Sequence, residues 1–110
     1  MALKEHPKLW GKEIWIANSH LYCGKKLIIH KGKNSSLHFH KEKDETFYIQ
    51  NGKVRMEIYP NDKKQILIMK PGDVIHIYPK LLHQFFGLED SEIFEFSTQH
   101  FEEDTFRLKR

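Results

Sequence analysis

Short segments that alternate apolar and polar side chains recur along this chain, at intervals of roughly ten residues. In Lys53–Tyr59, for example, Val54, Met56 and Ile58 share one face of an extended backbone, as in a half-buried strand. We find no convincing helical period in the sequence. Many short strands separated by turns are typical of closed barrels and jelly rolls, so the pattern predicts an all-β fold. The predicted strands are Glu13–Ala17, Tyr22–Ile29, Ser36–Lys41, Glu45–Gln50, Lys53–Tyr59, Gln65–Met69, Val74–Ile77, His83–Phe86 and Glu92–Thr98.

Turn-forming residues separate these segments and suggest how some of the strands pair. Asn51-Gly52 lies between Glu45–Gln50 and Lys53–Tyr59, and this dipeptide favours a two-residue hairpin because both positions accept positive φ. We therefore predict that the two flanking strands are paired. The closing segment 101–110 fits either a last short strand or a loose end.

Length and composition restrict the kind of protein. With 110 residues the chain is predicted to be one domain, residues 1–110, with the barrel over about residues 10–100. Its net charge of +3 is spread along the chain, so we expect no nucleic-acid partner. We also expect no membrane span, because no apolar run approaches the roughly 20 residues required. The lone Cys23, with no signal-peptide core at the N-terminus, predicts a cytoplasmic location.

Two histidines and a glutamate are spaced as a metal site requires. His38 and His40 are two residues apart in a predicted strand, so both rings project from one face. Glu45 begins the next predicted strand and reaches the two rings if the two strands are sheet neighbours. Two imidazoles and a carboxylate suit a divalent first-row metal with open positions. The spacing alone fits two histidines on an exposed strand face equally well.

A wider pattern resembles the cupin family. Gly32, His38, His40, Glu45 and Gly52 match every characteristic position of the first cupin motif. The stretch from Pro71-Gly72-Asp73 to His83 resembles the second motif, and 19 residues (53–71) separate its Gly72 from Gly52. The resemblance implies a cupin double-stranded β-helix, a jelly-roll barrel. It also implies one divalent transition metal (Mn, Zn, Fe, Co or Ni) held by His38, His40, Glu45 and His83.

The second motif departs from the family pattern at positions that are not ligands. Tyr78 stands where Pro is usual, Lys80 where Gly is usual, and Gly87 where Asn is usual. Without the glycine, Lys80 is expected to have an ordinary or a mildly strained backbone.

A second, looser resemblance connects the chain with sugars. The segments 8–13 (KLWGKE), 22–25 (YCGK) and 95–98 (EFST) are similar to D-lyxose isomerase-like proteins and to the cupin of mannose-6-phosphate isomerases. This resemblance implies a metal-dependent isomerase of a sugar or sugar phosphate. Glu95 is then the candidate proton-transferring base, and Lys80 or Lys26 the candidate partner of an anionic oxygen. A solvent-facing position is the alternative for each of the three.

Two other functions remain open at this point. Iron in the same ligand set would leave positions for substrate and O₂, as in a dioxygenase. A non-catalytic cupin that binds a metal or a sugar is the other. We further predict a homodimer that pairs through Leu9–Ala17. His30 and His100 are candidates for the mouth of the pocket, and a position away from it is the alternative for each.

Overall fold

The computed structural model describes residues 3–108 and contains all nine predicted strands together with two further ones. Single turns of 3₁₀ helix lie at Pro60–Asp62 and Glu102–Asp104. Within residues 3–108, no helix has the length and apolar character needed to cross a bilayer. The strands are β1 (Lys4–Lys8), β2 (Gly11–Asn18), β3 (Cys23–Ile29), β4 (Leu37–Phe39), β5 (Glu45–Asn51), β6 (Val54–Ile58), β7 (Gln65–Met69), β8 (Val74–Ile77), β9 (His83–Gly87), β10 (Ser91–Ser97) and β11 (Phe106–Leu108).

The strands form two antiparallel sheets that enclose one core, which confirms the predicted all-β jelly roll. The six-stranded sheet has the order β1-β2-β3-β10-β5-β8, and the five-stranded sheet has the order β11-β4-β9-β6-β7. The core includes Leu27, Ile49 and Ile93 from the first sheet and Met56 and Phe85 from the second. Side chains of facing sheets pack in this way because alternate residues of each strand point inward.

The inward residues of three neighbouring strands divide the interior into an apolar end and a polar end. In β3 the buried positions change from Ile29 and Leu27 to Lys25, and antiparallel β10 changes from Ile93 to Glu95. Lys25 is the cross-strand partner of Glu95, and Leu27 is that of Ile93. On the other side of β10, Ile93 faces Ile49 of β5. Polar side chains from separate strands therefore collect at one end of the barrel.

The predicted hairpin at Asn51-Gly52 is wrong. β5 pairs with β10 and β8, whereas β6 pairs with β7 and β9, so the chain changes sheets at this dipeptide. Gly52 has φ +89°, and a Cβ here would collide with the side chain of Ser91 and the carbonyl of Asp90. Glycine is required by this close passage between the sheets rather than by a hairpin turn.

The assumption that the strands of His38 and Glu45 are sheet neighbours is also wrong. β4 pairs with β11 and β9 in the five-stranded sheet, and β5 belongs to the six-stranded sheet. The two strands face each other across the interior. Glu45 therefore approaches the histidines from the opposite wall of the barrel.

The N-terminal strands leave less free sheet edge for a partner subunit than the predicted dimer through Leu9–Ala17 requires. β1, which the sequence did not predict because Lys4–Lys8 contains Pro7 and no alternation, forms a hairpin with β2. Proline is tolerated there because β1 is an edge strand. Over Gly11–Trp15, β2 is paired on both sides, with β1 and β3, so this part of Leu9–Ala17 offers no free edge to a partner.

Candidate metal centre and its cavity

Three imidazole rings converge at the polar end of the barrel. His38 on β4 and His83 on β9 are directly paired across the five-stranded sheet, and their ring centroids lie 4.3 Å apart. His40 follows β4 by one residue, with its ring 5.1 Å from that of His38. One nitrogen from each ring lies within 4.8 Å of the others. His83 is fully buried and His40 is only 6% exposed, so their positions are set by packing.

Each ring is oriented through its Nδ1 atom, which lies at hydrogen-bonding distance from a backbone carbonyl oxygen. A carbonyl can only accept, so Nδ1 carries the proton and Nε2 keeps its lone pair for a metal. All three rings thus have the tautomer that a metal site requires. The contacts are His38 Nδ1 to Ser36 O at 2.9 Å, His40 Nδ1 to Asp104 O at 3.0 Å and His83 Nδ1 to Leu81 O at 2.9 Å.

Glu45 brings a carboxylate oxygen close to two of these three rings. Its Oε2 atom lies 3.3 Å from His40 Nε2 and 3.5 Å from His83 Nε2. Glu45 Oε2 and His83 Nε2 are both buried and have no hydrogen-bond partner among the described residues. Ligand atoms about 2.1 Å from one metal ion stand about 3.0–3.5 Å apart. The residues present therefore fit a divalent metal, which would satisfy both orphaned atoms.

The protonation states favour metal binding. Burial, together with the neighbouring His83 ring, lowers the pKa of His38 to about 3. Burial also lowers the pKa of His83. For Glu45, burial opposes ionisation, but the neighbouring His40 side chain and the charge of Lys43 outweigh it and lower the pKa. Neutral imidazoles and an ionised carboxylate are the forms that bind metals.

A cavity of about 500 Å³ opens beside this cluster. His38, His40 and Glu45 line it, together with a group of mostly buried ionic side chains. Most of these side chains extend from β2, β3 and β10, so the six-stranded sheet provides the ionic wall. The group consists of Glu13, Lys25, Lys43, Glu95 and His100.

Lys43 connects the other residues of this ionic wall to Glu45 of the candidate metal site. Its Nζ lies 3.0 Å from Glu95 Oε2, 3.5 Å from Glu45 Oε1 and 3.1 Å from His100 Nδ1. The side chain is 3% exposed, and burial works against its charge. The carboxylates of Glu95 and Glu45 nevertheless raise the pKa of Lys43, so it stays an ammonium.

Glu95 faces the cavity, as its proposed role requires. It is 4% exposed, and Lys43 and Ser97 both donate hydrogen bonds to its Oε2 atom. None of the described residues donates a hydrogen bond to Oε1 of Glu95, so this oxygen is available to a ligand. Burial and the charge of Glu45 raise the pKa of Glu95.

Lys80 does not lie where a ligand-contacting residue must be. It is exposed on the turn before β9 and does not line the cavity. Its backbone has φ +74° because this turn keeps the left-handed shape that glycine usually provides. Lys26 points outward to Glu92 at 2.9 Å. His100 lines the cavity, whereas His30 is exposed and does not line it.

Lys25 and Lys43, like Glu13, are polar residues of the site that the sequence reasoning missed. Lys25 has the same strand parity as Cys23, Leu27 and Ile29, so alternation alone would have placed it inside. Lys43 lies in the loop between His40 and Glu45, where no periodicity gives a signal.

Comparison with known proteins gives a family match and a fold match. Residues 26–96 match the family described as Cupin domain. No curated protein sequence matches the chain. The fold is shared with CapF of Staphylococcus aureus, a capsular polysaccharide assembling protein. The TM-score is 0.85 at 18% identity, over 99% of this chain and 35% of CapF.

Two other solved structures have the same fold. A single-residue mutant of Bacillus subtilis oxalate decarboxylase gives a TM-score of 0.87 at 21% identity, over 96% of this chain and 30% of that one. Mn(II) centres are described for that decarboxylase. KdgF from Halomonas gives 0.79 at 15% identity, over 94% of this chain and 90% of KdgF. The chain thus spans about a third of CapF and of the decarboxylase, and most of KdgF.

Proposed function

This chain belongs to the cupin domain family, and from that premise we propose that it is a divalent-metal-dependent isomerase of a sugar or sugar phosphate. The observation that carries the proposal is the shared cavity. One wall presents three oriented imidazoles, and the facing six-stranded sheet presents the buried carboxyl groups of Glu45 and Glu95. The similarity of fold to CapF, a capsular polysaccharide assembling protein, agrees with a sugar-like ligand.

The proposed metal ligands are the Nε2 atoms of His38, His40 and His83 and a carboxylate oxygen of Glu45. Manganese, zinc, iron, cobalt and nickel all suit this set. A bound divalent ion would act as a Lewis acid toward two neighbouring oxygens of the substrate and acidify the adjacent C–H. We expect His40→Ala to abolish stoichiometric metal binding. His76→Ala, which removes an exposed histidine outside the cluster, should leave binding unchanged. Elemental analysis of each variant, purified without chelator or affinity tag, measures its metal content.

The proposed base is Glu95. An aldose–ketose isomerase moves one proton between adjacent carbons of an open-chain sugar, so one group must accept that proton and return it. Glu95 can do so through Oε1, because Lys43 and Ser97 hold the other oxygen in place. A raised pKa, caused by burial, brings a carboxyl group closer to the pH at which such transfers are efficient.

A deuterium-exchange experiment tests this function. Protein loaded with Mn²⁺, Co²⁺ or Zn²⁺ is incubated without oxygen in D₂O with a panel of aldoses and aldose phosphates, and C–H exchange is followed by NMR. We expect exchange and ketose formation with at least one sugar, and loss of both in Glu95→Gln. Glu92→Gln is the matched control, because Glu92 lies on the same strand but faces outward.

Other outcomes would identify the alternatives. Oxygen consumption that requires Fe²⁺ would indicate a dioxygenase and contradict the isomerase. A metal- or sugar-dependent rise in melting temperature without exchange or turnover would indicate a binding protein.

We also propose that the chain forms a homodimer through the outer face of the six-stranded sheet. A solvated face is normally polar, but Val74, Phe96 and Ile16 are 59%, 58% and 51% exposed here. Tyr48 and Phe94 lie in one cross-strand row with Val74 and extend this apolar surface. Light scattering should give twice the chain mass, and Phe96→Glu should give a monomer. A monomeric wild type would contradict the proposal.

A cytoplasmic location completes the proposal. Cys23 is buried at 3% exposure and forms no disulfide, which suits a reducing compartment. Cell fractionation tests it, and recovery outside the cytoplasm would contradict it.

A further inference from the structure

Lys25 is a buried ammonium group that no step of the proposed isomerisation uses. It is 1% exposed because β3 points it into the barrel, and it lines the cavity. Its Nζ lies 3.3 Å from Glu13 Oε1 and 4.4 Å from the centre of the Trp15 ring. Burial of an ammonium group is costly unless its hydrogen-bonding positions are filled.

The contacts of Lys25 leave it incompletely compensated. An ammonium has three donors, of which Glu13 takes one and the indole face covers a second. Among the described residues, no further acceptor lies within hydrogen-bonding distance of Nζ. Glu13 is itself shared, because Oε1 also accepts from Trp15 Nε1 at 2.9 Å and Oε2 lies 3.9 Å from Lys8 Nζ. One donor of Lys25 is thus available to a ligand in the cavity.

The charge around the cavity favours an anion once a metal is bound. Four cationic side chains and four carboxylates line the cavity, so their charges cancel while the histidines are neutral. A divalent ion at the proposed site would leave an excess of two positive charges. An unbalanced charge in a partly enclosed cavity attracts a counter-ion. The cationic residues are Lys8, Lys25, Lys43 and Arg107, and the acidic ones are Glu13, Glu45, Glu95 and Glu102.

The position of Lys25 relative to Glu95 indicates which part of a ligand it would meet. The two residues are cross-strand partners on β3 and β10, and Glu45 lies on β5 at the other side of β10. Strands separated by one intervening strand are about 10 Å apart, which is close to the length of an open-chain sugar. A substrate held at the Glu45 side, with its reacting carbons beside Glu95, would place its far end at Lys25.

We propose that Lys25 forms an anion subsite that binds a terminal carboxylate or phosphate of the substrate and selects acidic sugars over neutral ones. This inference rests on the proposed function, because the metal and Glu95 define the other end of the ligand. The subsite deepens that function by naming the substrate class.

Binding to the Zn²⁺-loaded full-length protein tests the subsite. Calorimetry compares D-galacturonate with D-galactose, and D-glucose 6-phosphate with D-glucose, while NMR follows the Trp15 indole N–H beside Lys25. We expect the acidic member of at least one pair to bind at least about tenfold more tightly and to shift the indole signal. The pair that shows this preference distinguishes a carboxylate from a phosphate.

Variants of neighbouring lysines separate the subsite from general charge effects. Lys25→Met should remove at least about tenfold of the preference for the acidic sugar, and Lys25→Arg should retain most of it. Lys26→Met is the matched control, because Lys26 is the next residue and faces outward to Glu92. If Lys25→Met fails to fold, the double variant Lys25→Met/Glu13→Gln, which removes both buried charges, replaces it.

Three results would overturn the subsite: equal binding of acidic and neutral sugars, a preference that survives loss of Lys25, or no binding of any acid. None of these measurements depends on turnover. A preference for acids without deuterium exchange would refute the isomerase and keep the subsite. Deuterium exchange of neutral sugars without a binding preference for acidic sugars would refute the subsite and keep the isomerase.

Discussion

Replacement of Lys43 by methionine is the most demanding test of the ionic wall. Methionine has a similar length and fills the same space, so the change removes charge more than volume. The substitution leaves Glu45 and Glu95 in the interior without the ammonium that lies 3.5 Å and 3.0 Å from them. His100 also loses its 3.1 Å contact with Nζ.

The structure sets the size of the expected loss. Removal of one partner from a buried ion pair costs about 3–5 kcal/mol, because the remaining charge stays desolvated. Glu95 can relieve part of this cost by taking up a proton, since burial already raises its pKa. We therefore expect the free energy of unfolding to fall by about 3–5 kcal/mol at pH 8 and by less at pH 6. A domain of this size has only about 5–15 kcal/mol in total.

The assay is urea unfolding of the metal-free protein in EDTA, followed by tryptophan fluorescence. The double variant Lys43→Met/Glu95→Gln should recover most of the loss, because it also removes one unpaired carboxylate. Lys41→Met is the matched control. Its ammonium is exposed over the Phe106 ring at 4.6 Å, and its loss should cost at most about 1 kcal/mol. A Lys43→Met protein within about 1 kcal/mol of wild type would refute the reasoning.

Three further predictions concern the backbone and pH. Gly52→Ala should lower the free energy of unfolding by about 2–4 kcal/mol in urea, because φ is +89° and the new methyl group meets Ser91; an unchanged midpoint would contradict this. Lys80→Gly should raise it by about 0.5 kcal/mol by relieving φ +74°, and a loss of stability would argue against strain there. The free energy of unfolding of the metal-free protein should fall as pH decreases below about 6.5. The reason is that His38 and His83 take up protons in the unfolded chain but remain neutral in the folded protein. Each ring contributes a loss of up to about 1.4 kcal/mol per pH unit. Unfolding curves at pH 5 and pH 7.5 measure this effect, and equal midpoints would refute it.

Alternation along the sequence was sufficient to predict the strands from β2 to β10, because it reports directly which face of each strand is buried. The spacing of His38, His40 and Glu45, taken within the wider cupin-like pattern, likewise indicated a candidate metal site. These signals are local, since each depends on residues only a few positions apart. The sequence by itself therefore determined the fold class and identified candidate metal ligands.

Strand pairing and the ionic wall were decided only by the tertiary structure. Alternation does not state which strands become neighbours, so Asn51-Gly52 was interpreted as a hairpin although it joins two sheets. Lys43 donates a hydrogen bond to Glu95, which is 52 positions away in the sequence. Whether a charged side chain can stay buried depends on such distant partners, because its desolvation cost must be met by contacts that exist only after the sheets have packed together.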